Sequence, residues 1–131
     1  MVFPVRERGK SPKILVVDDD DGLRELLTEV LTQNRPYEVD EAANGIKACI
    51  KLGSDRPDLL ILDLYMPEMD GLEVCRTIKT DPELADLKVI ITTGYVEHRM
   101  VDDVEKMGFT NILYKPFDFK QFLELVDAAL A

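Results

Sequence analysis

Short apolar segments and longer amphipathic segments alternate five times along this chain, and that alternation limits its fold more than any other feature. Apart from the more polar second one, the short segments are rich in Val, Ile and Leu, which is typical of buried β-strands. They lie at residues 14–17, 37–42, 59–62, 89–92 and 112–114. We therefore predict five strands, each followed by a helix.

The predicted helices show apolar residues at the three- and four-residue spacing that places side chains on one helix face. The clearest stripe consists of Leu23, Leu26, Leu27, Val30 and Leu31. Asp70 and Asp118 each precede a later stripe by the distance expected of an N-cap, with Glu73 and Gln121 three residues on. We expect the second helix to end at Gly53 and the fourth at Gly108.

This order of elements predicts an α/β fold with helices on both faces of one sheet. Neighbouring parallel strands need a crossover connection, and the predicted crossovers are helical. The segments that begin at Ile14, Leu59 and Val89 are the most continuously apolar, as central strands should be. The second and fifth strands are more polar or shorter and fit the edges. We predict a doubly wound, five-stranded parallel sheet in the flavodoxin-like order 2-1-3-4-5.

Length and charge restrict the class of protein further. The 131 residues suit one domain, with residues 1–12 as a flexible leader and residues 13–131 as the folded unit. The net charge of −10 would repel nucleic acid and anionic membrane surfaces, so we expect no direct binding to either. No apolar run is long enough for a membrane span or a signal peptide. We expect a cytoplasmic protein.

Polar residues follow four of the predicted strands, at the sheet edge where ligands bind in such folds. They are the four aspartates Asp18 to Asp21, then Asp63, the pair Thr92 and Thr93, and Lys115. Clustered carboxylates repel one another unless a proton or a cation neutralises them, and ligand sets made only of oxygen suit Mg²⁺. A carboxylate can also accept a phosphoryl group as a nucleophile.

The chain resembles the receiver domains of bacterial two-component response regulators, the CheY-like family. The resemblance covers about residues 13–130 and is carried by four segments: KILVVDDD at 13–20, LLILDLYMPEMDG at 59–71, VIITTG at 89–94 and YKPF at 114–117. The spacing of Asp63, Thr93 and Lys115 also follows the family pattern. Together these motifs are highly specific.

The resemblance implies that Asp63 is the phosphate acceptor and that the domain requires Mg²⁺. The metal ligands that it implies are Asp18, Asp19, Asp63 and the backbone carbonyl of Tyr65, with Asp18 binding directly or through water. The run of four aspartates leaves the register open by one residue. For Asp20 and Asp21 we favour helix N-capping and interaction with the helix dipole.

The resemblance also assigns roles at the ends of the last two strands. Thr93 would donate its hydroxyl to a phosphoryl oxygen, and Lys115 would pair with the acceptor carboxylate or the phosphate. Strand alternation allows only one of Thr92 and Thr93 to face the site, and we interpret Thr92 as a strand residue. Gly94 would leave room for the phosphoryl group. The resemblance further suggests a cis bond between Lys115 and Pro116.

The implied partners are a phosphoryl donor and a recipient of the signal. The donor would be a phosphohistidine on a sensor histidine kinase or a phosphotransfer protein. Phosphorylation would shift the surface of helix 4, strand 5 and helix 5, which would control a downstream target protein or an output domain. The sequence leaves open whether the domain forms a homodimer.

Two features depart from the family or extend its pattern. Ile112 occupies the position where many members have a Tyr or Phe that reports the switch, and Tyr114 either contributes to that readout or packs on the edge strand. We also hypothesise that Tyr65 and Tyr95 flank the phosphoryl group and slow its hydrolysis.

Two other functions remain as alternatives. A degenerate receiver would act as an interaction module that is independent of phosphorylation. A phosphatase with an aspartate nucleophile would need a second acid in a D-x-D pattern, where this chain has Tyr65. We therefore expect a signalling domain that catalyses only its own phosphorylation and slow dephosphorylation.

Overall fold

The computed structural model describes residues 11–94 and 98–131, and within them it contains one five-stranded sheet. The strands are β1 (Lys13–Val17), β2 (Glu38–Ala42), β3 (Leu59–Asp63), β4 (Lys88–Thr93) and β5 (Ile112–Tyr114). Each neighbouring pair is parallel, and the order is β2-β1-β3-β4-β5. The predicted fold class and strand order are confirmed.

Helices connect the strands and cover both faces of the sheet. They are α1 (Asp21–Asn34), α2 (Gly45–Asp55), α3 (Gly71–Thr80), α4 (His98–Lys106) and α5 (Phe119–Leu130), with a short 3₁₀ turn at Pro82–Leu84. The 3₁₀ turn was not predicted; Asp81 caps it and Pro82 opens it. Among the described helices, none is both long and apolar enough to cross a membrane.

The predicted N-caps of α3 and α5 are confirmed. The Asp70 carboxylate accepts the backbone N–H of Glu73 at 2.9 Å, and Asp118 accepts that of Gln121 at 2.6 Å. Each cap satisfies one of the N–H groups that the first helical turn leaves without an intrahelical partner.

The predicted helix ends are right in one case and wrong in the other. Gly108 has a φ of 98°, and the N–H of Phe109 bonds back to the carbonyl of Val104 at 3.1 Å, which is the Schellman end expected for α4. Helix α2 does not end at Gly53 but continues to Asp55. A glycine inside a helix costs only about 1 kcal/mol, and the buried Leu52 beside it keeps this turn packed on the core.

The core has two layers, one on each face of the sheet. Along β1, Leu15 and Val17 face the layer formed with α2, α3 and α4, while Ile14 and Val16 face the layer formed with α1 and α5. All five residues of β3 are buried, whereas exposure alternates with partial burial along most of β2. The central and edge positions predicted for these strands are therefore confirmed.

Most of the predicted leader, residues 1–12, lies outside the described residues. Its last residue, Pro12, is buried, and its carbonyl accepts the N–H of Glu38 at 3.0 Å. Pro12 thus already contacts β2 one residue before β1 begins.

A three-residue contact ties the end of α1 to α5. The Arg35 guanidinium donates to both carboxylate oxygens of Asp127, with the shortest distance 2.7 Å, and the Tyr37 hydroxyl donates to the same carboxylate at 2.6 Å. Burial, together with the hydrogen bond and the charge of Asp127, raises the pKa of the Tyr37 phenol well above its ordinary value. The folded protein therefore holds Tyr37 protonated.

This contact predicts a loss of stability at alkaline pH. The unfolded chain loses the Tyr37 proton near pH 10, while the folded chain keeps it, so the free energy of unfolding falls by up to about 1.4 kcal/mol per pH unit above that point. Urea denaturation from about pH 8 to pH 11 should show a steeper fall for the wild type than for Tyr37→Phe. Tyr114→Phe, which removes an exposed phenol, serves as the control. Parallel curves for wild type and Tyr37→Phe would contradict the expectation.

Candidate functional site

The carboxyl ends of β1, β3 and β5 bring two acids and one base together. Asp18 follows β1, Asp63 ends β3, and Lys115 follows β5. The Lys115 Nζ donates to Asp18 Oδ2 at 2.8 Å and lies 3.4 Å from Asp63 Oδ2. Residues that are distant in sequence therefore form one charged cluster because parallel strands end at the same sheet edge.

A group of three carboxylates at this edge could hold a cation. Oxygen atoms of Asp18, Asp19 and Asp63 all lie within 4.8 Å of one another. Asp18 and Asp63 are buried, whereas Asp19 is exposed, so the group is open to water on one side. Mg²⁺ prefers oxygen ligands and retains several waters, and this donor set fits it.

The other two aspartates of the run serve helix α1, as we predicted. The Asp20 carboxylate accepts the N–H of Leu23 at 3.1 Å and caps the helix, while Asp21 pairs with Arg24 at 2.7 Å in the first turn. Asp18 also takes part in this turn, because its Oδ1 accepts the Asp20 N–H at 2.9 Å. Asp18 and Asp19 therefore lie in the carboxylate group with Asp63, whereas Asp20 and Asp21 serve the helix, and the role of Asp18 and Asp19 as metal ligands stays a prediction.

The cluster holds more negative than positive charge. Burial, with the Asp18 charge adding to it, raises the pKa of Asp63 to about 6, although Lys115 and the Tyr65 N–H act in the opposite direction. Burial lowers the pKa of Lys115, but its contacts with Asp18 and Asp63 outweigh that effect and raise it overall. Lys115 is thus a stable ammonium beside two buried carboxylates, and the remaining negative charge favours a cation.

Tyr65 lies two residues beyond Asp63 and contacts it through the main chain. Its N–H lies 3.4 Å from Asp63 Oδ1, and its half-buried ring packs against the layer on the α3 side. The role of its backbone carbonyl as a metal ligand stays a prediction. Tyr95, its hypothesised counterpart, lies outside the described residues.

The two threonines at the end of β4 are both buried, and they are aligned with different residues of the neighbouring strands. Thr92 is aligned with Asp63 of β3, and Thr93 is aligned with Tyr114 of β5. Residues in register on parallel strands share a face, so alternation places Thr92 on the face of Asp63, while the family pattern points to Thr93. The role assigned to Thr93 by the resemblance stays a prediction.

The structure describes Gly94, Pro116, Ile112 and Tyr114, the other residues near Lys115 that carry expectations from the sequence. A Cβ at Gly94 would lie 3.8 Å from Lys115 Cδ, so Gly94 lies alongside the stem of this side chain, and the Lys115–Pro116 bond is cis, as the resemblance suggested. Ile112 is half-buried and packs on the layer formed with α4. Tyr114 is 47% exposed, so only part of this residue packs on the edge strand and the rest faces solvent.

Two long-range contacts that shape the site were not predicted from the sequence, although Gly71 belongs to the family motif at residues 59–71. Arg24 donates from Nη1 to the Asp18 carbonyl at 2.8 Å and from Nε to Glu41 at 3.0 Å. Gly71 lies so close to the end of β3 that a Cβ there would be 2.6 Å from the Asp63 carbonyl oxygen. The only signals in the sequence were a base three residues after Asp21 and a glycine after an N-cap, and neither indicates a long-range contact.

This fold and this cluster define a receiver domain. A family model described as the response regulator receiver domain matches residues 14–127. The chain belongs to the response regulator receiver family of two-component signalling.

Individual relatives extend this finding. The chain is 39% identical over 116 residues to sporulation initiation phosphotransferase F of Bacillus subtilis strain 168, a match that covers 88% of this chain and 91% of that protein. It is 38% identical over 120 residues to response regulator MprA of Mycobacterium bovis BCG, covering 92% of this chain but only 51% of MprA. Thus the chain spans about half the length of MprA. The chemotaxis protein CheY4 of Vibrio cholerae is structurally similar, with a TM-score of 0.84, 27% identity, and coverage of 92% of this chain and 100% of CheY4.

Proposed function

We propose that this receiver domain is switched by phosphorylation of Asp63 in the presence of Mg²⁺. The observation that carries the proposal is the contact of buried Asp63 and Asp18 with one ammonium, Lys115, beside the exposed Asp19. This arrangement provides a nucleophile, oxygen ligands for a cation and a fixed positive charge. Phosphoryl transfer needs these three parts.

The positions of these groups support the following transfer. A carboxylate oxygen of Asp63 attacks the phosphorus of a phosphohistidine on a sensor histidine kinase or phosphotransfer protein, forming a P–O bond while the P–N bond breaks. The electron pair of that bond returns to the imidazole of the donor. Lys115 would remain close to both the carboxylate and the incoming phosphoryl oxygens. Mg²⁺, when bound by Asp18, Asp19, Asp63 and the Tyr65 carbonyl, would neutralise charge on those oxygens.

Phosphorylation would then alter the output surface. The added group carries a charge of about −1.5 to −2 at neutral pH, which makes the surroundings of Lys115 more negative. Since Lys115 lies between β5 and α5, we place the response on the surface of α4, β5 and α5. That surface would act on a downstream target protein or an output domain in the cytoplasm, with Ile112 rather than an aromatic residue at the usual readout position.

Intact-mass measurement after incubation with acetyl phosphate tests the acceptor. We expect one phosphoryl group on the wild type only when Mg²⁺ is present, and none on Asp63→Asn. Asp81→Asn removes a carboxylate from the cap of the 3₁₀ turn and should be phosphorylated like the wild type. An equal adduct on Asp63→Asn would overturn the assignment. If no protein forms an adduct, even with a phosphorylated kinase, the degenerate receiver becomes the better explanation, and sustained turnover of a phosphate monoester would favour a phosphatase.

Paired threonine variants decide which hydroxyl contacts the phosphoryl group. Since a hydrogen bond to a charged group contributes about 1.5–3 kcal/mol, we expect Thr93→Ala to slow phosphorylation by about 10- to 100-fold. Thr92→Ala should leave the rate within about 3-fold of the wild type, because its hydroxyl would make no such bond. The rate of adduct formation from acetyl phosphate is the measurement. The reverse pattern would assign the contact to Thr92, as strand alternation suggests.

The hypothesis for Tyr65 concerns dephosphorylation, the hydrolysis of the phosphoryl group on Asp63. If its ring shields the phosphoryl group from water, the phosphoryl group on Asp63 should be hydrolysed faster in the Tyr65→Ala variant than in the wild type. The structure describes Tyr65 but not Tyr95, so this proposal is limited to the first ring.

A further inference from the structure

We infer that Arg24 is a positioning residue that holds the metal-binding loop in shape and thereby strengthens Mg²⁺ binding. The inference rests on the proposed function, because it concerns the same cation site. Arg24 lies in α1 and contacts none of the three carboxylates of the site; it contacts the main chain between two of them.

The Arg24 guanidinium joins three parts of the chain. Its Nη1 donates to the Asp18 carbonyl at 2.8 Å, its Nε donates to Glu41 of β2 at 3.0 Å, and its Nη2 lies 2.7 Å from Asp21. Only 12% of the side chain is exposed. Burial lowers the pKa of Arg24, but its contacts with Asp21 and Glu41 outweigh that effect, so the charge persists. A planar fork with several donors can make these contacts at once, whereas a lysine ammonium cannot match their geometry.

The contact with the Asp18 carbonyl has a direct consequence for Asp19. The carbonyl of Asp18 and the N–H of Asp19 belong to one planar peptide group, so fixing the oxygen also fixes the plane from which Asp19 continues. Asp19 is exposed, and among residues 11–94 and 98–131 no other side chain holds its carboxylate. Its direction towards Asp18 and Asp63 therefore depends on its main chain, and Arg24 holds that main chain against β2.

Simple electrostatics and positioning predict opposite results for the loss of Arg24. Removing a positive charge near a group of carboxylates should strengthen cation binding if charge alone matters. If Arg24 acts by fixing the loop, its removal should weaken binding, because the ligands must then be ordered when the cation binds. The sign of the change therefore separates the two explanations.

Calorimetric titration with Mg²⁺ measures this sign on the unphosphorylated protein. We expect Arg24→Met to weaken Mg²⁺ binding by about 10-fold or more, the usual effect of losing a residue that supports metal ligands. Arg24→Lys keeps the charge but should not restore affinity. Glu41→Gln removes the charge that anchors Arg24 to β2 and should weaken binding in the same direction by about 3-fold. Arg56→Met removes an exposed arginine paired with Glu83 and should bind Mg²⁺ like the wild type.

One further measurement keeps the outcomes distinct. Urea denaturation in EDTA determines how much each variant is destabilised. If Arg24→Met does not fold, Arg24→Lys decides, because charge alone predicts unchanged Mg²⁺ binding for it and positioning predicts weaker binding. Unchanged or tighter Mg²⁺ binding by a folded Arg24 variant overturns the inference and leaves the proposed function intact. A wild type that binds no Mg²⁺, while Asp63→Asn also binds none, overturns the metal requirement and the inference together.

Discussion

Lys115→Met is expected to destabilise the metal-free protein by about 3 kcal/mol, the lower end of the range for removing one partner of a buried ion pair. The side chains of Asp18 and Asp63 are only 2% and 6% exposed, and Lys115 is their shared ammonium partner at 2.8 and 3.4 Å. Without it, two buried carboxylates face each other with no compensating charge. Urea denaturation in EDTA at about pH 8, where carboxylates are normally ionised, measures the loss.

The same variant tests whether the cluster accepts a cation. A ligand that binds the folded state but not the unfolded state adds stability, so saturating Mg²⁺ should recover part of the loss in Lys115→Met. Lys51→Met is the matched control, since Lys51 pairs with the exposed Asp40 and its loss should cost about 1 kcal/mol or less. A Lys115→Met protein as stable as the wild type in EDTA would refute the role of Lys115 as the compensating charge.

Gly71→Ala is expected to cost a similar amount, about 3 kcal/mol, through a clash rather than through charge. The added methyl would lie 2.6 Å from the carbonyl oxygen of Asp63 and 2.7 Å from the Cα of Leu64. Both atoms belong to the main chain, so neither can move away by a side-chain rotation. Because the displaced residue is the proposed acceptor, phosphorylation of Asp63 should also slow.

Gly53→Ala provides the control for this substitution. Nothing lies within 4 Å of a Cβ at Gly53, which is inside α2. Alanine there should raise the free energy of unfolding by about 0.5–1 kcal/mol, because glycine is the poorer helix former. Thermal or urea denaturation of the two variants should therefore shift in opposite directions. Equal stability of Gly71→Ala and the wild type would show that α3 can move away from β3 at little cost.

Much of the candidate site could be located from sequence because it lies at strand ends. A polar residue that follows a buried parallel strand is expected at the carboxyl edge of the sheet, so the sequence alone predicts that Asp18, Asp63 and Lys115 lie together. Strand ends alone do not choose between Thr92 and Thr93, because the contact depends on the register of β4 against β3. The choice of Thr93 rests on the family resemblance and stays a prediction.

The sequence by itself determined the class of fold, the division into central and edge strands, and the composition of the charged edge. Those properties follow from hydrophobic periodicity and from residues at the end of each element, which are local signals. Only the tertiary structure decided that Arg24 holds the Asp18 carbonyl, that Gly71 touches β3, and that Asp19 rather than Asp20 joins the carboxylate group. These contacts join residues through the packing of one element on another, and the distance between packed elements is set by the whole core.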